Sequence, residues 1–503
     1  MFIRENKNRS GSISIQVVVK HRGRNKVVYT AGSSKSQYEI ELLKVKAQEF
    51  INRQKGSFSL FIEKEDVIIQ SFVESLSNNS LQIIGPQLVL EPLFDIIFPI
   101  SSRDYFKDLV LCRIIYPGSK LRTVDYLARH FNKAVSEQTI YRAMDSLDSS
   151  LKKSIEECTY KRALKYSEGG KLSLVFYDMT TLYFETESED DLRKIGYSKD
   201  GKHQHPQIMI GLLVDAQGYP IAYDVFKGNT AETKTLIPVI EQLVARFDIG
   251  KPVIVADAAL LSKKNLEALH AHNYTYVLGG RIKNETQQLK QLIISQAINE
   301  DEPIELAHPF GRLIVSYSEK RSKKDSFNRE KGLRRLENKL KTNKLNKEAI
   351  NNRGYNKYLK IEGETKITID YDLYKADCVW DGLKGYLTNT SLTKQEIIGN
   401  YSNLWRVEKA FRMSKSDLRF RPIFHRKENR IKSHLLICFA AFALYKELEL
   451  IIIKNEIDIS VQKAIDELKG VQQLTYQLPK SKTIKKQLLK LNPIQQKLVN
   501  MKF

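Results

Sequence analysis

Hydrophobic and polar positions change rhythm several times along this chain. Residues 12–30, SISIQVVVKHRGRNKVVYT, alternate on either side of a turn-like HRGRN, the period of two that a half-buried hairpin requires, and SQYEIELLKVKAQEFINRQ then shifts to helical spacing. From 101 to 165 the rhythm is helical with a break at YPGSK. KLRTVDYLARHF and SEQTIYRAMDSLDSSL read as two helices about a short turn, the second opening on Ser136 as its N-cap. That spacing suits a helix-turn-helix as well as any helical hairpin. In the first case Ser136, Gln138, Thr139 and Arg142 would stand at the N-terminal end of a recognition helix, within reach of bases or phosphates.

The middle of the chain carries the strongest pattern. KLSLVFYD (171–178) and QIMIGLLVD (207–215) are apolar runs, and IAYDVF (221–226) follows the turn AQGYP. Residues 230–247 are amphipathic at helical period, PVIVADAAL is a buried strand, KKNLEALHAH a helix and YTYVLGG a strand. The order β-β-β-α-β-α-β predicts an α/β fold, a mixed sheet flanked by helices. Between 286 and 378 the sheet pattern lapses, and residues 319–348 carry 12 Lys or Arg against five acids on an expected helix or helical hairpin. Such a run is a solvated face or a surface for a nucleic-acid backbone. DGLKGYLTN then predicts a short strand and turn, and residues from Thr393 onward a helix opened by a Thr393/Glu396 capping box. LLICFAAFALY (435–445), the longest apolar run, is too short to span a bilayer and reads as a buried helix.

Composition narrows the partners. A chain of 503 residues exceeds one core, so two to four domains are expected. Its 81 Lys and Arg against 59 Asp and Glu leave +22, which favours an anionic polymer, nucleic acid ahead of a membrane surface. Cys112, Cys158, Cys378 and Cys438 have no paired spacing, against a disulfide framework or zinc site. The start, MFIRENKNRSGS, lacks the apolar core of a signal peptide, and a reducing, cytoplasmic, nucleoid-associated setting is expected.

Chemistry concentrates on a few carboxylates. Asp178 and Asp257 close the two most apolar strands, where sites in open α/β sheets gather. An acid there is costly without a partner such as a metal ion. Glu185, Glu187 and the acids through Asp191 read as a solvated loop. On the helix after the insertion, Tyr401, Glu408 and Lys415 are seven apart and share a face, with Arg412 one turn past the glutamate. Alone, that stripe better describes an ion-paired surface. His203 and His205 form an HxH pair without a third ligand, better suited to a loop than to a metal site, and His434 is expected near a helix start. Trp380 and Trp405 are expected in the core, with stacking on a displaced base as the other use.

Taken in order, VFYDMT, VIVADAALLS, YSNLWRVEKAFRMSK and RPIFHRKENRIKSH resemble the DDE transposases of bacterial insertion sequences, in particular the insertion-sequence-four-like branch with a Tyr-Arg-Glu-Lys signature. GYSKDGKHQHPQIMIGLLVDAQGYPIAYDVFKGNTAE is also similar to that group, and the resemblance covers roughly residues 100–450. It implies an RNase H-like catalytic core interrupted by an insertion, with Asp178, Asp257 and Glu408 as catalytic acids. They would hold two Mg²⁺ or Mn²⁺ ions about 4 Å apart, Asp178 bridging them. The activity implied is binding of the element's ends, metal-assisted hydrolysis there, and joining of the 3′-hydroxyls to target DNA. A nuclease of the same fold without joining, and a non-catalytic basic DNA-binding protein, are the rival readings.

Tyr401 would position a phosphate, and Arg412, Lys415, Arg406, Arg419 and Arg421 would contact DNA, with Arg426, Lys427, Arg430 and Lys432 extending the strip. Two positions depart from the relatives: Leu404 stands at the signature arginine, with Arg406 or Arg412 as nearest substitutes, and Ala258 and Ala259 follow Asp257 where arginine or glycine is common. The partners implied are double-stranded DNA, as transposon ends and target, and further copies of the chain in a homodimer or higher multimer. No membrane and no small-molecule substrate is expected. The expected divisions are 1–60 (hairpin and helix, a candidate DNA-binding arm), 61–165 (helical, DNA-binding), 166–285 (first part of the core), 286–378 (basic insertion), 379–450 (last part of the core, with the third acid) and 451–503 (helical, for multimerisation or as a cap).

Overall fold

A strand buried on both faces must lie inside a covered sheet, and Gln207–Asp215 is buried at every position. The computed structural model describes residues 1–21, 23–54, 64–77, 80–100, 105–197, 201, 204–247, 252–296, 298–300, 302–342, 345, 350–351, 354–362, 366–478 and 481–503. The chain divides into two compact units, residues 1–89 with 463–501 and residues 90–462 with 502–503.

The larger unit contains, early in its chain, four helices, α1 (Phe106–Ile115), α2 (Lys120–His130), α3 (Glu137–Asp145) and α4 (Ser149–Tyr166). Ser119, Ser136 and Asp148 cap the last three, each accepting a backbone N–H three residues on. Because Asp148 starts a new helix, α3 is short, and Arg142 lies in its last turn instead of near its N-terminus as expected.

Next come β1 (Leu174–Tyr183), β2 (Gln207–Asp215), β3 (Pro220–Lys227), α5 (Leu236–Arg246), β4 (Val253–Ala256), α6 (Lys263–Ala271) and β5 (Thr275–Gly280), the order that the sequence predicted. β1, β2 and β3 are antiparallel neighbours, while β4 runs parallel to β1 and β5 parallel to β4. The resulting order β3-β2-β1-β4-β5 is the RNase H-like arrangement that the resemblance implied.

The insertion departs from expectation. After α7 (Gln287–Ser295) it supplies β6 (Ile304–His308) and β7 (Gly311–Tyr317), and beyond α8 (Glu319–Lys341) the chain returns as β8 (Leu383–Thr388). These three strands extend the same sheet to eight, in the order β6-β7-β8-β5-β4-β1-β2-β3. The apolar pattern is weak here because IELAH, at the sheet edge, buries only Leu306 fully and so leaves no apolar run. α8, which holds most of the basic stretch, packs Leu336 against Tyr358, Leu359 and Ile369 around a small hairpin.

The helix expected to carry Tyr401, Glu408 and Lys415 on one face is two helices, α9 (Lys394–Ser402) and α10 (Trp405–Ser416). Between them the N–H groups of Asn403, Leu404, Arg406 and Val407 bond to carbonyls three residues back, at 2.9–3.2 Å, and this tightened turn kinks the chain. Tyr401 and Glu408 therefore project from different helices. The last helix of the core, α11 (Glu428–Lys454), is buried continuously from Ser433 to Leu448, and Phe439 meets the Tyr223 ring of β3 at 4.8 Å. Among the described residues no helix is long and apolar enough to cross a membrane.

In the smaller unit the predicted hairpin, Ile13–His21 with Arg24–Ser34, gains a third antiparallel strand, Phe2–Lys7. Helix Gln37–Gln54 covers this sheet over Ile15, Val17, Ile40, Ala47 and Ile51. Arg22 of the expected turn lies outside the described residues. Residues 451–503 are not wholly helical: Gln472–Gln477 pairs with Ile484–Leu488 and with Leu81–Ile83. QQLTYQ and IKKQL are too short and polar to show a period of either kind, so strand pairing decides their form.

Candidate active site

The central sheet forks beside Asp178. β1 pairs with β2 from Val175 to Tyr183, whereas on its other side β4 reaches only Tyr177, opposite Ala256, and stops. Asp178 and Asp257 are the next residues on these two parallel strands, whose spacing is about 4.8 Å, so their carboxylates emerge side by side where the sheet opens. Asp178 does not end its strand as expected. MTTLY, rich in β-branched and aromatic residues, continues the ladder with β2, and the early end of β4 is what opens the site. Each acid is steadied by its own chain, Met179 N donating to Asp178 Oδ1 and Ala258 N to Asp257 Oδ1, both at 2.7 Å.

Tyr401, at the end of α9, donates from Oη to the same Asp257 oxygen at 2.9 Å. Its ring is buried edge-on against Tyr386, centroids 5.1 Å apart. Burial, then the charge of Asp257, raises its pKa, so the phenol stays protonated as a donor. Gly279 of β5 makes this fit, since a Cβ there would stand 2.4 Å from Tyr401 Oη and 2.8 Å from Ala258 N. Gly279→Ala is expected to push the phenol off Asp257 and lower cleavage at least about tenfold, the scale of one lost hydrogen bond to a charged group. Wild-type cleavage rates in that variant would refute this packing role.

Lys384 of β8 was not singled out from the sequence. Its ammonium lies 4.3 Å from the Tyr401 ring centroid and 5.5 Å from that of Tyr386. Burial, then Arg321, lowers its pKa, while Asp257 and Glu408 both pull it upward, so two of the predicted acids act on one cation. The available signal was a lysine inside the otherwise uncharged strand LKGYLT, directly before the third acid's helices.

Glu408 is exposed in the first turn of α10, whose buried face is Val407, Ala410, Phe411, Met413 and Ser414. Leu404 is buried, so the position of the missing arginine serves packing in this chain. Arg406 is drawn away from the acids, donating to the Ala216 carbonyl in the β2–β3 turn. Arg412 is exposed, and half-buried Lys415 lies beside Thr180 and Leu182 of β1. Arg421 places its guanidinium 5.7 Å from the ring of Tyr183, the last residue of β1. Arg419 is exposed nearby and its carbonyl accepts from Arg113 at 3.4 Å, while Arg142 is exposed on α3.

Further along the strip, Arg430 pairs with Asp145 and Lys432 with Glu428, each at 2.7 Å. Asp190, among the acids after β1, accepts from Leu192 N and Arg193 N and so folds the loop. His203 lies outside the described residues. His205 stands 6.2 Å from the Tyr183 ring, and His434, in the second turn of α11, is buried with Nε2 3.1 Å from the Phe420 carbonyl. Trp380 packs beside Ile282 and Val315, but Trp405 is 51% exposed at the start of α10, because the kink turns it out of the core.

The donor chemistry of Asp178, Asp257 and Glu408 is that of a hard divalent cation, carboxylate oxygens throughout. Among the described residues no three His, Cys, Asp or Glu side chains stand close enough together to hold a metal ion. Asp178 and Asp257 form an adjacent pair, and Glu408 belongs to a separate helix.

Residues 169–444 match the family described as "Transposase DDE domain". Among solved structures, the chain is similar to piggyBac transposase in a synaptic complex with hairpin DNA, at 12% identity over 76% of each chain, with a TM-score of 0.38. It is also similar to Mos1 transposase in a paired-end complex with the left transposon end, at 14% identity over 35% of this chain and 59% of that one, TM-score 0.16. For the Mos1 mariner paired-end complex with Mn the values are 12%, 48%, 75% and 0.15. No curated protein matches the chain in sequence.

Proposed function

Because the matched segment spans more than half of it, the chain belongs to the transposase DDE-domain family, and from that premise we propose that it cuts the ends of its own insertion sequence and joins them to target DNA. The observation that carries this reading is the emergence of Asp178 and Asp257 side by side from adjacent parallel strands.

Asp178 and Asp257, on neighbouring strands, would hold the divalent cations that their oxygens suit, with Glu408 of α10 as the third acid of this reading. Such ions, when bound, activate the attacking oxygen and stabilise charge on the leaving one. Tyr401 is a positioning residue: with its hydroxyl committed to Asp257 it orients that carboxylate, and it is not the nucleophile. Lys384 sits where it can draw the scissile phosphate toward the acids, in place of the cation that Leu404 does not supply. Hydrolysis and strand joining are the same displacement with different oxygen nucleophiles, so one pocket serves both without a covalent protein–DNA intermediate. Arg412, Lys415, Arg419 and Arg421 then track the DNA backbone, and bridging two ends calls for a dimer or higher multimer.

The test is incubation of the protein with Mg²⁺, a target plasmid and a duplex carrying the inverted repeats that flank its reading frame. Nicks at the repeat boundary and joined products are expected, both abolished by EDTA. Cleavage without joining would leave a nuclease of the same fold, and binding without cleavage in Mg²⁺ or Mn²⁺ would leave a DNA-binding protein.

A further inference from the structure

Away from the acids, a cleft of about 480 Å³ lies between α1, α2, α3 and the segment that follows α10. Arg113, Ser119, Lys120, Arg122, Arg421 and Glu137 are among its lining residues. Lys120 and Arg113 are each only 6% exposed, and neither has a carboxylate partner among the described residues. Buried cations without counter-ions are costly unless something else compensates them. The lining holds one acid among the described residues, Glu137, and that acid is hydrogen-bonded to Tyr141.

The backbone adds to the positive field. Lys120 is the first residue of the 11-residue helix α2, and Ser119 caps that helix by accepting from Arg122 N at 3.3 Å, so the positive end of the helix dipole falls in the cleft. Burial, then Arg113, lowers the Lys120 pKa to about 7. Burial, then Lys120 and Arg113, lowers that of His425 to about 4, and His434 is lowered by burial and the same two cations. An anion would reverse the largest of these repulsions by placing negative charge between Lys120 and Arg113.

We propose that this cleft is a built phosphate pocket that seats one backbone phosphodiester of bound DNA, separate from the catalytic acids. Its rim favours a polymer over a small anion. Phe424, 70% exposed, and exposed Arg122 and Arg419 stand at the opening, an aromatic face among cations as strands of nucleic acid require. Arg421 lines the cleft and also reaches the ring of Tyr183, at the end of the strand that carries Asp178, which puts the pocket and the acids along one path. The identity of the polymer rests on the transposase reading; the pocket's affinity for phosphate does not.

The test uses the full chain in EDTA, so that cleavage plays no part. Lys120→Met is expected to weaken binding of an end-bearing duplex roughly tenfold, the scale of one charge-assisted contact. It should also reduce the slope of log affinity against log salt by about 0.9, one phosphate's share. Arg122→Ala, at the exposed rim, should lower the slope in the same direction. Inorganic phosphate should raise the thermal midpoint of the wild type but not of Lys120→Met, which is expected to fold with unchanged circular dichroism because it loses only an unpaired buried charge. If phosphate stabilises the wild type alone while both variants bind duplex with wild-type affinity and slope, the pocket takes a free phosphate and the DNA assignment fails. If phosphate stabilises neither protein and the slopes are equal, there is no pocket.

Discussion

Asp178→Ala and Asp257→Ala are each expected to lower Mg²⁺-dependent cleavage of an end-bearing duplex by at least about 10³-fold, roughly 4 kcal/mol of transition-state stabilisation, with binding nearly intact. The size follows from their placement. The two residues follow the last paired positions of neighbouring strands at one opening of the sheet, so on the proposed reading removing either leaves one carboxylate where two are needed. Asn variants separate charge from shape. An amide oxygen at either position can still accept the backbone N–H that steadies the present carboxylate, so the geometry survives while the charge is lost. Equal losses for Ala and Asn would mean that the charge does the work. Glu185→Ala, in the exposed loop after β1, should leave the rate unchanged. Near-wild-type cleavage by either Asp178→Ala or Asp257→Ala would remove that residue from the site.

The largest expected loss of stability lies elsewhere, between α4 and α11. Glu447 is fully buried on α11, and its Oε1 accepts from Arg162 Nε at 2.8 Å, from Arg162 Nη2, and from the Tyr166 hydroxyl. Burial and the Glu447 bond push Tyr166 up to about 12, so the phenol remains a donor across the physiological range. Arg162→Met would strand a carboxylate in the core with only Tyr166 to meet it. Breaking one side of a buried pair costs about 3–5 kcal/mol, and a loss of that size in chemical denaturation is expected for this variant. Arg162→Met combined with Glu447→Leu should recover most of it, since replacing both partners by apolar groups is near neutral. A shift below about 1 kcal/mol in the single variant would show that Glu447 is compensated by other groups.

What could be read from the chain depended on how each element is buried. β2, β4 and the first four residues of β1 are apolar runs, so their order, and the acids Asp178 and Asp257 that follow two of those runs, were legible. β6 buries little and left no such mark. The kink after Ser402 follows from backbone bonds at Asn403 and Leu404 that no side-chain spacing encodes, so the shared face of Tyr401 and Glu408 dissolved into two helices. Lys384 and Lys120 were missed for a common reason. A lysine draws notice mainly by its burial, and burial depends in part on neighbours that only the fold brings from far along the chain: Asp257 acts on Lys384 and is bonded by Tyr401, and Arg421 lines the same cleft as Lys120. Arg406 shows the converse, a cation correctly placed near Glu408 in sequence yet tied to the β2–β3 turn in space.

The insertion leaves the sheet and re-enters it at facing positions, since Tyr317 ends β7 opposite Leu383 at the start of β8. Residues 318–382 are thus, to the sheet, one long hairpin connection, and lengthening such a connection costs only the logarithm of its length. The connection is not inert, however, for Trp380 near its end packs beside Ile282 and Val315, and Arg321 near its start acts on Lys384. A two- to five-residue turn there would still join β7 to β8 in register, but a graft that is to spare the core and the site has to keep the stretches around Arg321 and Trp380 and exchange only what lies between them.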